Sequence, residues 1–338
     1  MPATQAPEPR GPRGAPRRTY AALDLGTNNC RLLIARACTG ADGSESFTVV
    51  DAFSRIVRLG EGLGATGRIS DAAIERAIAA LKICSDKLVR RGVHLSRAVA
   101  TEACRRAING PDFVARVYRE TGILLDIIDP GEEARLAAGG CHLMLEPGDG
   151  PALIFDIGGG STELVRVETS GDDLRIIDWT SIPWGVVSMS ESEPHGDPDL
   201  DVRRAAYDRM RARAAAAMAD FVDHNQVSNG APLRLLGTSG TVTTLGSVHL
   251  NLARYSRDLV DGLRLSDAEC RAISRRLADL TIEDRAQVAC IGRERADLVV
   301  AGCAILEAIL DLWPAPRVGV ADRGIREGIL RNLMANER

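Results

Sequence analysis

Two short stretches hold residues whose types and order could do chemistry together. In "LDLGTNNCRLLIA" (Leu23 to Ala35) and "LIFDIGGGSTELVRV" (Leu153 to Val167) an apolar run ends in an aspartate, a small-residue turn follows, and the chain returns to strand-like alternation. Each reads as a hairpin. Glycines in such turns let consecutive backbone N–H groups converge on one point, a concavity suited to a phosphate oxygen. Asp24 and Asp156 close the two apolar runs, where a carboxylate is costly unless it is paired or faces a cation. Set in equivalent places across a cleft, they could share a magnesium ion, directly or through its waters, because Mg²⁺ takes one or two carboxylates plus substrate phosphates. Glu163, on the returning strand, either joins them or is an exposed strand residue. A Walker loop and a G-x-G-x-x-G fingerprint are both missing.

A hydrolytic site also needs a group to activate water, and "DPGEEARL" offers two glutamates. With Asp129 as N-cap and Pro130 at the first helical position, Glu132 falls at N3, where its carboxylate can turn back to the cap. Glu133 is then free to face the cleft. No Cys-His or Ser-His arrangement suggests a covalent intermediate.

The elements that must position these residues follow from the same pattern. The two hairpins align without gaps, so the chain reads as two related halves. Ser70 can cap a helix carrying Ile74, Ala77, Ile78, Leu81 and Leu88, and "SDAE" at Ser266 to Glu269 has capping-box spacing before another amphipathic run. "RAAYDRMRARAAAAMADFV" is helical by its alanine content, and Ile291 to Leu306 reads as mostly core helix. Strands before helices in both halves predict an α/β fold of two lobes around an interlobe cleft. The divisions expected are a disordered tail over 1–18, a first lobe over 19–136 and a second over 137–338, with Pro and Gly at "EPGDG" near the boundary.

Composition narrows the function. In 338 residues, 42 basic against 46 acidic side chains give a net charge of −4, so nothing global advertises nucleic acid or a membrane surface. All but Lys82 and Lys87 of the basic residues are arginine, which makes a single Arg weak evidence for an anion site. Eight scattered cysteines without C-x-x-C spacing argue against zinc and against a disulfide framework. The N-terminus lacks a signal-peptide core, and the longest apolar run, Leu298 to Leu306, is too short for a bilayer. The expected location is cytoplasmic.

"AALDLGTNNCRLLIA", "VATEACRRAING", "IIDPGEEARLAAGG", "LIFDIGGGSTELV", "LLGTSGTVTTLG" and "GIREGIL", in this order, resemble the exopolyphosphatase and guanosine pentaphosphate phosphohydrolase family, part of the sugar kinase, Hsp70 and actin superfamily. The resemblance covers nearly everything after the tail and implies two actin-like, ribonuclease H-like lobes. It assigns the phosphate loops to Asp24, Gly26, Thr27 and Asn28, to Gly158, Gly159, Gly160, Ser161 and Thr162, and to Gly237, Ser239, Gly240 and Thr241. It implies Glu133 as the catalytic glutamate and Arg105 as the phosphate-contacting arginine, with Arg106 on the outer side. Asp24, Asp156 and Glu163 become the carboxylates for Mg²⁺ or another divalent cation. Arg58, Arg293 and Arg295 lie in or beside family-like segments. The first loop reads Thr-Asn-Asn-Cys where Ser-Asn-Ser-Phe is more usual, a departure that bears on substrate fit. The implied reaction is release of terminal orthophosphate from inorganic polyphosphate, with guanosine pentaphosphate as the alternative substrate. Arginines at 55, 58, 105, 135, 293, 295, 323 and 326 and only 12 aromatic residues favour polyphosphate. A kinase of the same fold and a non-catalytic alarmone sensor are the rivals, and a homodimer is left open.

Overall fold

The computed structural model describes residues 18–39, 45–148, 150–170, 173–225 and 233–337. The first lobe contains β1 (Thr19–Leu25), β2 (Asn29–Thr39), β3 (Glu45–Ile56), α1 (Leu63–Thr66), α2 (Asp71–Arg90), β4 (Leu95–Ala100), α3 (Glu102–Arg106), α4 (Gly110–Thr121) and β5 (Leu125–Ile127). Helix α5 (Pro130–Cys141) leads out of it. The second contains β6 (Gly150–Ile157), β7 (Thr162–Ser170), β8 (Asp173–Ile182), α6 (Val186–Ser192), α7 (Leu200–His224), β9 (Arg234–Thr238) and α8 (Ser239–His249). It continues with α9 (Arg257–Val260), β10 (Arg264–Ser266), α10 (Asp267–Asp279), α11 (Ile282–Gln287), α12 (Val299–Leu312), β11 (Arg317–Ala321) and α13 (Ile325–Ala335).

The repeat seen in the two hairpins extends to whole sheets. The first runs β3-β2-β1-β4-β5, and the second runs β8-β7-β6-β9-β11 with β10 added at its edge. In both, a long antiparallel hairpin is continued by parallel strands. Register places Asp24 opposite Arg31 in one hairpin and Asp156 opposite Glu163 in the other. Outer faces are covered as amphipathic spacing predicts. Ser70 caps α2, its Oγ accepting from the Ala73 amide at 3.2 Å, and Ile74, Ala77, Ile78 and Leu81 are buried. Ser266 and Glu269 form the capping box of α10.

Between the sheets lie α5 and α13, packed on each other. Their backbones approach so closely that a Cβ on Gly140 would fall 1.9 Å from the Gly324 carbonyl oxygen, and one on Gly328 would fall 2.1 Å from that of Leu136. Helix α5 packs on the second sheet and α13 on β1 of the first, so each lobe is sealed by a helix leading to or from the other. The division expected between residues 136 and 137 falls within α5. Residues 1–17 of the expected tail lie outside the described residues, and Arg18 pairs with Glu337 at 2.9 Å.

One helix differs from expectation. Regular helix starts at Val299, not Ile291, because Gly292 takes a left-handed φ of 67° and charged residues fill the turns that follow. From Val299 to Leu310 every residue is buried. No helix among the described residues is long and apolar enough to cross a membrane.

Candidate active site

Both hairpin turns close in the same way. The Gly26 amide donates to the Asn29 carbonyl at 2.9 Å, and the Gly158 amide to the Ser161 carbonyl at 3.0 Å. A second segment in each lobe then takes the turn's carbonyls. Val57 and Arg58 amides donate to Asn28 O and the Gly60 amide to Thr27 O; Val186 donates to Gly158 O and Val187 to Gly159 O. The Ser188 hydroxyl adds a bond to Gly160 O at 3.1 Å. With the carbonyls held from behind, the turns present their other side to a cavity lined by Gly26, Thr27, Asn28, Gly158, Gly159, Gly160 and Ser161. That is the geometry a phosphate cradle needs.

The turns also touch one another. A Cβ on Gly159 would lie 2.9 Å from Thr27 Cβ and 3.1 Å from the Asn28 amide nitrogen, and one on Gly160 would lie 2.7 Å from Thr27 Oγ1. The backing segments meet as well. Arg58, at a left-handed φ of 46°, reaches across to Asp297 at 3.0 Å, and the Gly62 amide donates to Glu191 Oε1 at 2.9 Å. Arg58 is thus a bridge between lobes.

Five carboxylates line the same cavity: Asp24, Asp156, Glu163, Glu133 and Asp322, the last lying 3.4 Å from Arg257. Burial raises the Asp24 carboxyl, with Arg31 and Arg326 pulling it down. Burial also carries Asp156 up to about 6 and Glu163 up to about 7, the latter helped by Asp156. The Ser181 hydroxyl fixes Glu163 by donating to Oε1 at 2.8 Å. Asp24 Oδ1 is enclosed without a hydrogen-bond partner. Among the described residues no three acidic, His or Cys side chains gather into a metal cage. The donor set fits a hard cation that takes one or two carboxylates and fills its shell with water and phosphate oxygens.

Asp129 caps α5 through the Glu132 amide at 2.8 Å, with Pro130 at the first position. Glu133 points inward and is buried, as the capping argument expects. Glu132 also takes a structural place, although its carboxylate reaches Arg97 at 2.7 Å instead of turning back to the cap. Burial and the nearby Glu163 push the Glu133 carboxyl well above its usual range, opposed by Arg105. Arg105 Nη1 donates to Glu133 Oε2 at 2.8 Å and to Ile128 O at 2.7 Å, while Nη2 donates to Glu102 at 3.0 Å. Its guanidinium therefore stands behind Glu133 and does not line the cavity. Arg106 turns outward, its side chain 43% exposed.

The third glycine-rich segment divides. Ser239, at a φ of 79°, lines the cavity, and its hydroxyl donates to Ile157 O at 2.9 Å. Gly240 and Thr241 line a neighbouring cavity with Arg295, Leu298 and Val299. Gly237 lies within β9, where a Cβ would meet the Phe155 ring at 2.6 Å, so its smallness serves packing. Thr162 is fully buried and donates to Trp184 O at 2.7 Å. Arg135 and Arg293 are exposed, and Arg55 stacks over Phe53. Sequence reasoning passed over Arg31, although hairpin register alone sets it opposite Asp24; it lines both cavities.

Two sheets of the same strand order, each offering a glycine turn to a shared cleft, define a two-lobed α/β protein of the actin-like class. The profile of the Ppx/GppA phosphatase family matches residues 34–337, and the chain belongs to that family. Exopolyphosphatase 2 of Mycobacterium tuberculosis is 31% identical over 327 residues, 93% of this chain and 98% of that protein. A guanosine-5'-triphosphate,3'-diphosphate pyrophosphatase of Aeromonas salmonicida is 31% identical over 94% of this chain and 60% of its own length. Among solved structures, the Aquifex aeolicus Ppx/GppA family member aligns at a TM-score of 0.75 with 28% identity, covering 96% of this chain and 99% of that one. An exopolyphosphatase-like protein aligns at 0.82 with 27% identity, over 95% and 100%. The chain is accordingly a hydrolase of phosphoanhydrides.

Proposed function

We propose that this protein is an exopolyphosphatase releasing terminal orthophosphate from inorganic polyphosphate. The observation that carries the reading is a buried glutamate, Glu133, in one cavity with two backed glycine turns and several arginines. Glu133 orients a water and takes its proton as the water oxygen attacks the terminal phosphorus; the bridging P–O bond breaks and the shortened chain leaves. Backbone N–H groups of both turns hold the phosphoryl oxygens as charge develops on them. Asp24 and Asp156, with Glu163 close by, would hold Mg²⁺ or another divalent cation, which when bound supplies neutralisation of phosphate charge. Arg105 favours the ionised form of Glu133 against burial and orients its carboxylate.

This division of labour has a pH signature. A general base is lost as pH falls through its pKa, and Arg105 lowers the pKa of Glu133. Arg105→Gln should therefore move the acid limb of the kcat/KM profile to higher pH. A limb that stayed in place would remove Arg105 from this role.

Polyphosphate is favoured because neither cavity has an aromatic side chain to stack on a purine, whereas Arg31, Arg323 and Arg326 line the first and Arg31 and Arg295 the second. One observation favours guanosine pentaphosphate: Ile157, Val186, Leu298 and Val299 give the neighbouring cavity apolar walls that would suit a nucleoside. The test compares kcat/KM for long-chain polyphosphate and guanosine pentaphosphate at equal ionic strength with Mg²⁺. Polyphosphate should win, and its advantage should shrink as salt rises because a long anion engages several screened charges. A clear nucleotide preference would reassign the substrate and leave the hydrolytic step in place.

A further inference from the structure

On the α13 side of the cavity one guanidinium has no assigned task. Part of the cavity wall comes from the segment between β11 and the first turn of α13, including Asp322, Arg323 and Arg326. Nearly every charge in this segment is committed. Arg323 Nε is paired with Asp261 at 2.9 Å, and Asp322 lies 3.4 Å from Arg257. Glu327 is buried, accepting from the Gly324 amide at 2.9 Å and from Arg257 at 3.1 Å. Arg326 is the exception: among the described residues it makes no hydrogen bond and no ion pair within 4 Å, Asp24 and Glu133 included.

Two readings compete for such a side chain. As a structural counter-charge to Asp24 it should sit in contact with that carboxylate, and it does not. As an anion ligand it should be open to the cavity and held rigidly relative to the reacting groups. Both hold. Gly328, two residues on, packs against Leu136 of α5, and α5 carries Glu133 in its first turn, so the two helices fix Arg326 and Glu133 in one frame. Burial pulls the Arg326 pKa below its ordinary value, which an anionic partner would reverse. A guanidinium offers phosphate two parallel donors, a match an ammonium lacks.

Resting on the phosphohydrolase reading, we propose that Arg326 is a phosphate-contacting residue of this site, gripping the terminal phosphoryl group and, after cleavage, the released orthophosphate. With Arg105 engaged behind Glu133, Arg326 is the guanidinium free to do so from the α13 side.

The test measures orthophosphate itself, as a product inhibitor and by calorimetric titration with Mg²⁺ present, beside kcat/KM and melting temperature. Arg326→Gln should weaken orthophosphate binding and lower kcat/KM each by about 10- to 100-fold, the loss of one charge-assisted contact, while the exposed control Arg135→Gln behaves as wild type. Arg326→Lys, which keeps the charge but not the fork, should weaken binding by a smaller factor at unchanged melting temperature, and it decides the matter if the Gln variant does not fold. A folded Arg326→Gln, or failing that an Arg326→Lys, equal to wild type in orthophosphate affinity and kcat/KM overturns the proposal while leaving the phosphohydrolase reading intact. A wild-type protein that neither binds orthophosphate nor cleaves either substrate would overturn both.

Discussion

Glu133→Gln should lower turnover by about 10²- to 10⁴-fold, the usual worth of a general base, with substrate affinity largely kept. The substitution preserves size, and the amide oxygen can still accept from Arg105, whose other bonds to Ile128 O and Glu102 are untouched. What disappears is the ability to take a proton. Glu132→Gln, one residue away, is the matched comparison. It weakens the ion pair with Arg97, whose partners are 30% and 28% exposed. Pairs so open to solvent contribute about 0–1 kcal/mol, so a small loss of stability and near-normal turnover should result. Orthophosphate release from polyphosphate by both variants checks the pair, and equal turnover would end the assignment of Glu133 as base.

That two neighbouring glutamates can be told apart shows what kind of information the sequence carried. Asp129 and Pro130 set the phase of α5, and phase decides which of the pair faces inward; this is local and was legible. The duplicated hairpins were legible for the same reason, since alternation and turn residues describe one strand pair at a time. Contacts between elements were not. Nothing in "DIGGGSTELV" states that its turn touches Thr27 and Asn28 of the other lobe, nor that α6 and the loop at Val57 to Gly60 hold the carbonyls of the turns. The glycines of "GIREGIL" and "LAAGG" looked like parts of separate motifs, whereas Gly328 and Gly140 let α13 and α5 pack backbone to backbone. Gly237 read as a phosphate ligand because its neighbours are glycine-loop residues, yet its space is taken by Phe155. Arg31 was passed over and Arg326 was one of eight arginines named together in an arginine-rich chain; their placement in the cavity, without hydrogen-bond or ion-pair partners among the described residues, sets them apart.

Gly159→Val should reduce kcat/KM by about 10²-fold or more, a size of loss that displacements near 1 Å at a reacting centre produce. The glycine is required twice over. Its turn must present N–H groups to phosphate, and its α-carbon stands against the opposite lobe with no room for a β-carbon. Valine adds that carbon and two branches, so either the turn tilts away from the cavity or the lobes part; both pull the N–H groups off the phosphoryl oxygens. Binding and turnover should therefore fall together, unlike the turnover-only loss at Glu133. Gly159→Ala should lie between, since its single carbon already falls 2.9 Å from Thr27 Cβ. Gly139→Ala, on the helix that carries Glu133 but with nothing within 4 Å of the added carbon, should leave activity alone and stabilise α5 slightly. Small-angle scattering separates the two ways of failing, because parted lobes enlarge the radius of gyration and a tilted turn does not. A folded Gly159→Val with wild-type kcat/KM would mean that phosphate is held elsewhere in the cleft.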